Sequence, residues 1–120
     1  CGRVFEGSMQ QMLDAMEYFK QLPSHTKVYC THEYSLNNLA FAQAVEPDNS
    51  DIQQTIDECK ITREKNKPTL PSTIEKERLI NPFLRFEETC VKQSAEKFST
   101  TTLTDNLAVF STLRGWKDNF

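Results

Sequence analysis

Histidine is scarce in this chain. The 120 residues hold only His25 and His32, and no cluster of metal-ligating side chains accompanies either one. An excess of positive charge is also missing. A net charge of −3 leaves no electrostatic case for nucleic acid as the main partner. No apolar run approaches the ~20 residues that a membrane span needs, so no membrane partner is expected. A basic stretch followed by an apolar one, the mark of a secretory leader, is absent from the N-terminus. The four cysteines, Cys1, Cys30, Cys59 and Cys90, never form a CxxC pair, which argues against a zinc knuckle or a thioredoxin-like site. Their near-even spacing does not mark a repeat, because the flanking residues differ. Four reduced thiols in a cytoplasmic protein is the reading that follows. The chain opens on Cys1 and its first methionine is Met9, so a processed product or a cut piece is expected.

What is present is a modest apolar content, 38% of residues, enough for one domain or parts of two. Gly7-Ser8 reads as a helix start, with the Ser8 hydroxyl accepting from the first free N–H groups. Met9, Met12, Leu13, Met16, Phe19 and Leu22 follow at helical spacing. Three methionines on one stripe suit a core better than a soft-metal site. "TKVYC" is short and rich in β-formers and predicts a strand, with a possible second strand in "CGRVFEG". Ser35 reads as the cap of a second helix, which carries Leu36, Leu39, Ala40 and Val45 and ends at Glu46-Pro47. "PDNSD" predicts the cap of a third, carrying Ile52, Ile56 and Cys59. "KPTLP" breaks the chain, and "STIE" has capping-box form through Ser72 and Glu75. "NPFLRF" predicts a turn and an apolar anchor. Two further helices are predicted near Glu87–Phe98 and Thr104–Trp116.

The expected fold is therefore mainly α with a small α/β remnant. A lone strand leaves its backbone groups unpaired, and an isolated pair is marginal in water. The rest of a sheet is accordingly expected in a preceding segment, and the exposed strand edge is expected to be covered by that segment or by a second copy. His32 lies where the strand gives way to the helix. A histidine at a strand end is more often a structural hydrogen-bonding residue than a ligand. In layered α/β proteins, however, functional groups gather where strands end, and imidazole is a common metal ligand. Strand alternation would turn Glu33 away from any site that His32 faces, as a surface or supporting group.

"CGRVFEG", "VYCTHEYSLNNLAFA", "PSTIEKERLINPFLR" and the terminal "LRGWKDNF" together resemble the C-terminal half of the glyoxalase II family, the hydroxyacylglutathione hydrolases. The resemblance runs over the whole chain in order. It implies the end of a metallo-β-lactamase αβ/βα sandwich over residues 1–33 and a helical glutathione-binding domain over 34–120. It implies hydrolysis of S-D-lactoylglutathione to D-lactate and glutathione by a hydroxide activated on two divalent metal ions, zinc, iron or manganese. His32 would be the family's last metal-binding histidine. The remaining ligands, an HxHxDH motif, a histidine and a bridging aspartate, would precede Cys1, so the chain alone is expected to be inactive. Arg3, Phe5, Tyr34, Arg114 and Lys117 match glutathione-contacting positions. Where the family has tyrosine with a hydroxyl to donate, Phe5 has none. Glutathione carries two carboxylates, which suits Arg114 and Lys117 on one predicted helix face, although that spacing also describes an ordinary solvated face. Two alternatives stay open: a helical binding or regulatory module without chemistry, and a related hydrolase of the same fold acting on another substrate.

Overall fold

A computed structural model describes residues 1–120. It contains α1 (Met9–Lys20), β1 (Lys27–Val28), α2 (Ser35–Val45), α3 (Ser50–Glu64), β2 (Ser72–Thr73), α4 (Ile74–Ile80), a 3-10 turn (Pro82–Leu84), α5 (Thr89–Ser99) and α6 (Asn106–Asp118). The mainly helical expectation is borne out. The chain divides into two compact units, one of Cys1–Gln21 with Pro82–Phe120 and one of Leu22–Asn81. The boundary expected between residues 33 and 34 concerns a longer protein, and these units divide the chain on a different criterion, compactness.

In the first unit, α1 begins at a complete capping box. The Gln11 N–H donates to Ser8 Oγ at 3.2 Å and the Ser8 N–H donates to Gln11 Oε1 at 2.9 Å, so two orphan donors are satisfied reciprocally. Gly7 precedes it with φ +83°, a conformation open to glycine. The methionine stripe is core only in part: Leu13 is buried, Met9, Met12 and Met16 are half-buried, and Phe19 is exposed. The true core lies further along the chain. Phe83, Leu84 and Phe86 of "NPFLRF" are buried with Val91, Ala95, Val109, Phe110 and Leu113. Phe110 meets Phe83 and Phe86 in T-shaped pairs at centroid distances of 5.6 and 6.0 Å, a favoured geometry for ring quadrupoles. Asp105 caps α6, its Oδ1 accepting from the Ala108 N–H at 2.8 Å.

The second unit is built on α2 and α3. Leu39, Ala42, Ile52, Ile56, Cys59 and Ile80 form one apolar cluster, with Leu36 packed against it. Asn49 caps α3 by accepting from the N–H groups of Asp51 and Ile52. β1 and β2 pair antiparallel, Lys27 opposite Thr73 and Val28 opposite Ser72. Four expectations are corrected. The strand predicted over "TKVYC" is reduced to two residues, and its partner is Ser72–Thr73; "CGRVFEG" forms no strand. The cap of α4 is Thr73, whose hydroxyl accepts from the Lys76 N–H at 3.3 Å, not Ser72. Both residues sit in the ladder, Ser72 opposite Val28 and Thr73 opposite Lys27, and it is the Thr73 hydroxyl that reaches the Lys76 N–H. Ser35 does not cap α2 either: Tyr34 stands at that position without a side-chain bond, and the Ser35 hydroxyl meets Thr69 instead.

Candidate functional site

The last turn of α6, in the first unit, gathers positive charge. Arg114 is a cation that the fold has buried, at 3% exposure. Its Nε and Nη2 donate to Asp118 Oδ1 at 3.2 and 2.8 Å, and Nη1 donates to the Cys1 carbonyl at 2.8 Å. The guanidinium carbon lies 5.0 Å from the centroid of the Phe83 ring, a cation–π contact. Arg3 approaches the same carboxylate, Nε standing 3.6 Å from Asp118 Oδ1, with its side chain mostly exposed. Lys117 is half-buried, its ammonium 5.7 Å from the Phe120 ring centroid. Burial first, and the neighbouring Arg114 charge second, hold its ammonium below the ordinary lysine range. Arg3 and Arg114 thus share one carboxylate, and Lys117 adds a third cation near a helix C-terminus, where the backbone dipole favours positive charge. Chemically, such a cluster can receive a further carboxylate. Of the residues singled out from sequence, Arg3 and Arg114 are brought together through Asp118, and Lys117 feels the charge of Arg114. Phe5 is also in this unit and projects into solvent, 87% exposed. Asp118 and Phe83 were not singled out as site residues. The four-residue spacing of Arg114 and Asp118 was the available signal for the first.

The second unit carries His32 and Tyr34. His32 lies in a bend and Tyr34 in irregular backbone just before α2, so the alternation of a strand does not extend to Glu33. The His32 and Tyr34 rings stack, centroids 4.9 Å apart and planes 11° from parallel, and the Tyr34 N–H donates to the His32 carbonyl at 3.0 Å. Both side chains are exposed. Between them, Glu33 turns to Thr69. Its Oε1 accepts from the Thr69 N–H at 2.6 Å and its Oε2 from the Thr69 hydroxyl at 2.5 Å. The hydroxyl bond first, then the backbone bond, hold the Glu33 carboxyl below the ordinary carboxylate range. Sequence reasoning did not foresee Thr69, because its role depends on a contact across the fold.

No group of three or more His, Cys, Asp or Glu side chains is arranged to hold an ion. His32 offers a single imidazole, so these residues do not by themselves make up a metal site. All four cysteines are free thiols, and burial raises the pKa of Cys59.

Residues 33–120 match the family model described as hydroxyacylglutathione hydrolase C-terminus. Over all 120 residues the chain is 51% identical to the hydroxyacylglutathione hydrolase of Pseudomonas putida (strain GB-1), of which it covers 46%. It is 45% identical to that of Nitrosomonas europaea, again covering 46%, and 49% identical to that of Pseudomonas fluorescens (strain SBW25), covering 47%. The chain spans about half the length of the curated relatives it matches.

Proposed function

Because the chain belongs to the hydroxyacylglutathione hydrolase C-terminus family, we propose that it is the glutathione-recognising part of a thioesterase that converts S-D-lactoylglutathione to D-lactate and glutathione. The observation that carries this reading is the gathering of cations at the end of α6, Arg3 and Arg114 on Asp118 and Lys117 within reach of the Arg114 charge. A carboxylate arriving there relieves the repulsion between Lys117 and Arg114 and restores the lysine's affinity for its proton. Glutathione presents carboxylates of this kind on a flexible backbone, and Tyr34 supplies an exposed hydroxyl donor for the same class of ligand. Phe5 contributes an apolar surface and no hydrogen bond.

In the complete enzyme, two divalent metal ions, zinc, iron or manganese, would supply the activated water, with His32 giving one nitrogen ligand and a preceding segment the others. This chain's own residues do not complete that centre. Its residues bind and orient, and we place the protein in the cytoplasm, joined to the preceding segment or to a second copy. The 120-residue chain alone is expected to hydrolyse S-D-lactoylglutathione only at background rate.

Titrating the isotopically labelled chain with glutathione, and with glutathione whose glycine carboxylate is amidated, tests the proposal. The expected result is shifts at the last turn of α6 and roughly tenfold weaker binding of the amide, the size of a partly exposed charge-assisted hydrogen bond. Equal affinity for the two ligands, or turnover well above background by the rigorously purified chain, overturns it.

A further inference from the structure

His32 and Tyr34 stand on a segment with little regular structure to hold it. The β1–β2 ladder ends at Val28, and Tyr34 opens α2 without a side-chain cap. Both rings are exposed, so core packing does not fix them. What ties this segment to the rest of the second unit is Glu33. Its two carboxylate oxygens take both donors of Thr69, the N–H at 2.6 Å and the hydroxyl at 2.5 Å. Thr69 Oγ1 also lies 2.5 Å from Ser35 Oγ. An ionised carboxylate only accepts, so the Thr69 proton goes to Glu33, and Ser35 must donate to Thr69. The order of protons along Ser35, Thr69 and Glu33 is thereby fixed. Arg63 Nη1 lies 3.9 Å from Glu33 Oε1, close enough to favour the charged form.

From this geometry we propose that Glu33 is a positioning residue: with Thr69 and Ser35 it forms a polar clasp that sets the stacked His32 and Tyr34 rings in their working orientation. The clasp lies on the C-terminal side of His32 and the β1–β2 ladder on its N-terminal side, so His32 is held between two fixed points. Thr69 is followed closely by β2, the other half of that ladder. The same short stretch, residues 69–73, therefore holds the segment at both points. A simple surface ion pair would not give this arrangement, because the backbone N–H of Thr69 takes part. Assigning the rings a working role rests on the glutathione-hydrolase reading above; the existence of the clasp does not.

The test compares the wild-type 120-residue chain with Glu33→Ala, Thr69→Val and Thr69→Ser by nuclear magnetic resonance. Thr69→Val removes the hydroxyl and keeps the N–H, whereas Thr69→Ser keeps both donors. In wild type and Thr69→Ser, the expected result is contacts between the His32 and Tyr34 rings and ordered amides at 31–34. In Glu33→Ala and Thr69→Val, the ring contacts are lost and those amides become mobile, with the resonances of Ile52 and Ile56 unmoved. Should Glu33→Ala fail to fold, the contrast between Thr69→Val and Thr69→Ser decides. Ring contacts that persist in Thr69→Val and in any folded Glu33→Ala overturn the proposal, as does their loss in Thr69→Ser. Binding of S-methylglutathione, followed at Tyr34, is read in parallel. If wild type does not bind it, the functional reading fails while the ring contacts still test the clasp.

Discussion

The two units hold their candidate functional side chains by opposite means. In the first, Arg114 is buried, seated on Phe83 and bonded to Asp118 and to the Cys1 carbonyl. In the second, His32 and Tyr34 are exposed and depend on the polar contacts of one neighbouring glutamate. A buried charge is expensive to leave unpaired, so its geometry is enforced by the stability of the unit itself. An exposed ring carries no such penalty, and its orientation is only as firm as the few bonds around it. Substitution should therefore damage the fold in the first unit and mainly local geometry in the second. Even the ion pairs follow this division. Arg114 and Asp118 have side chains 4% and 34% exposed, against 39% and 50% for Lys76 and Glu58 in the second unit.

Arg114→Ala is the largest expected effect. It leaves Asp118 without its nearest bonded partner, removes a donor from the Cys1 carbonyl and strips the cation from Phe83. With Asp118 partly solvated, the cost should be about 2–3 kcal/mol, below that of a fully buried pair. Breaking the exposed Lys76–Glu58 pair by Lys76→Ala should cost at most about 1 kcal/mol. Urea denaturation of both variants measures the difference, and equal losses would remove the contrast between the units. Because Arg114→Ala weakens the fold, its effect on glutathione binding is interpretable only where the variant is shown to be folded.

How far these arrangements could be read from sequence depended on whether their causes were local. The Ser8–Gln11 box, the Asn49 cap and the Phe83–Phe86 anchor each arise within a few residues, and the sequence pointed to these places. The partner of β1 did not show itself, because Ser72–Thr73 is too short to give a strand pattern and pairs only through the tertiary fold. The expected cap moved from Ser72 to Thr73, and the contact with Thr69 removed Ser35 from its expected capping role. At the candidate site, Arg114 and Lys117 were visible as cations three residues apart on a helix. The burial of Arg114 was not, because it depends on Phe83 and Cys1, both far away in sequence. His32 was marked by its place at a junction, whereas the Glu33–Thr69 contact that holds its segment is non-local.

The displaced cap gives a sharper and smaller test within the second unit. Thr73→Ala removes the hydroxyl that accepts from Lys76 and should cost about 1 kcal/mol. Ser72→Ala removes a buried hydroxyl oxygen that has no hydrogen-bond partner, so stability should stay within about 0.5 kcal/mol or rise slightly. Thermal or urea unfolding of the pair checks the order. A larger loss for Ser72→Ala would return the cap to the position expected from sequence and put the β1–β2 register in doubt.

Lys117 is where the contrast between the units should fail if, as proposed, it meets the ligand although it lies in the first unit. Burial and the adjacent Arg114 charge lower its pKa in the folded chain. The unfolded chain then holds more protons at pH values between the depressed folded pKa and the ordinary lysine value, so stability rises with pH across that window. Below the window both states are protonated, and the cost of holding the charge is fully present; above it both are neutral, and the cost is gone. Near neutral pH, Lys117→Gln should therefore leave stability unchanged or slightly higher, by less than about 0.5 kcal/mol. The difference from wild type should close as pH rises through the window. If its ammonium meets the ligand carboxylate as proposed, the same substitution should weaken glutathione binding roughly tenfold. Urea unfolding near neutrality and in the alkaline range, beside calorimetric titration with glutathione, separates these effects. Arg114→Ala loses stability and Lys117→Gln loses binding if one cation belongs to the fold and the other to the ligand. A marked loss of stability in Lys117→Gln with unaltered binding would mean that both cations serve the helix end, and the carboxylate site would have to lie elsewhere.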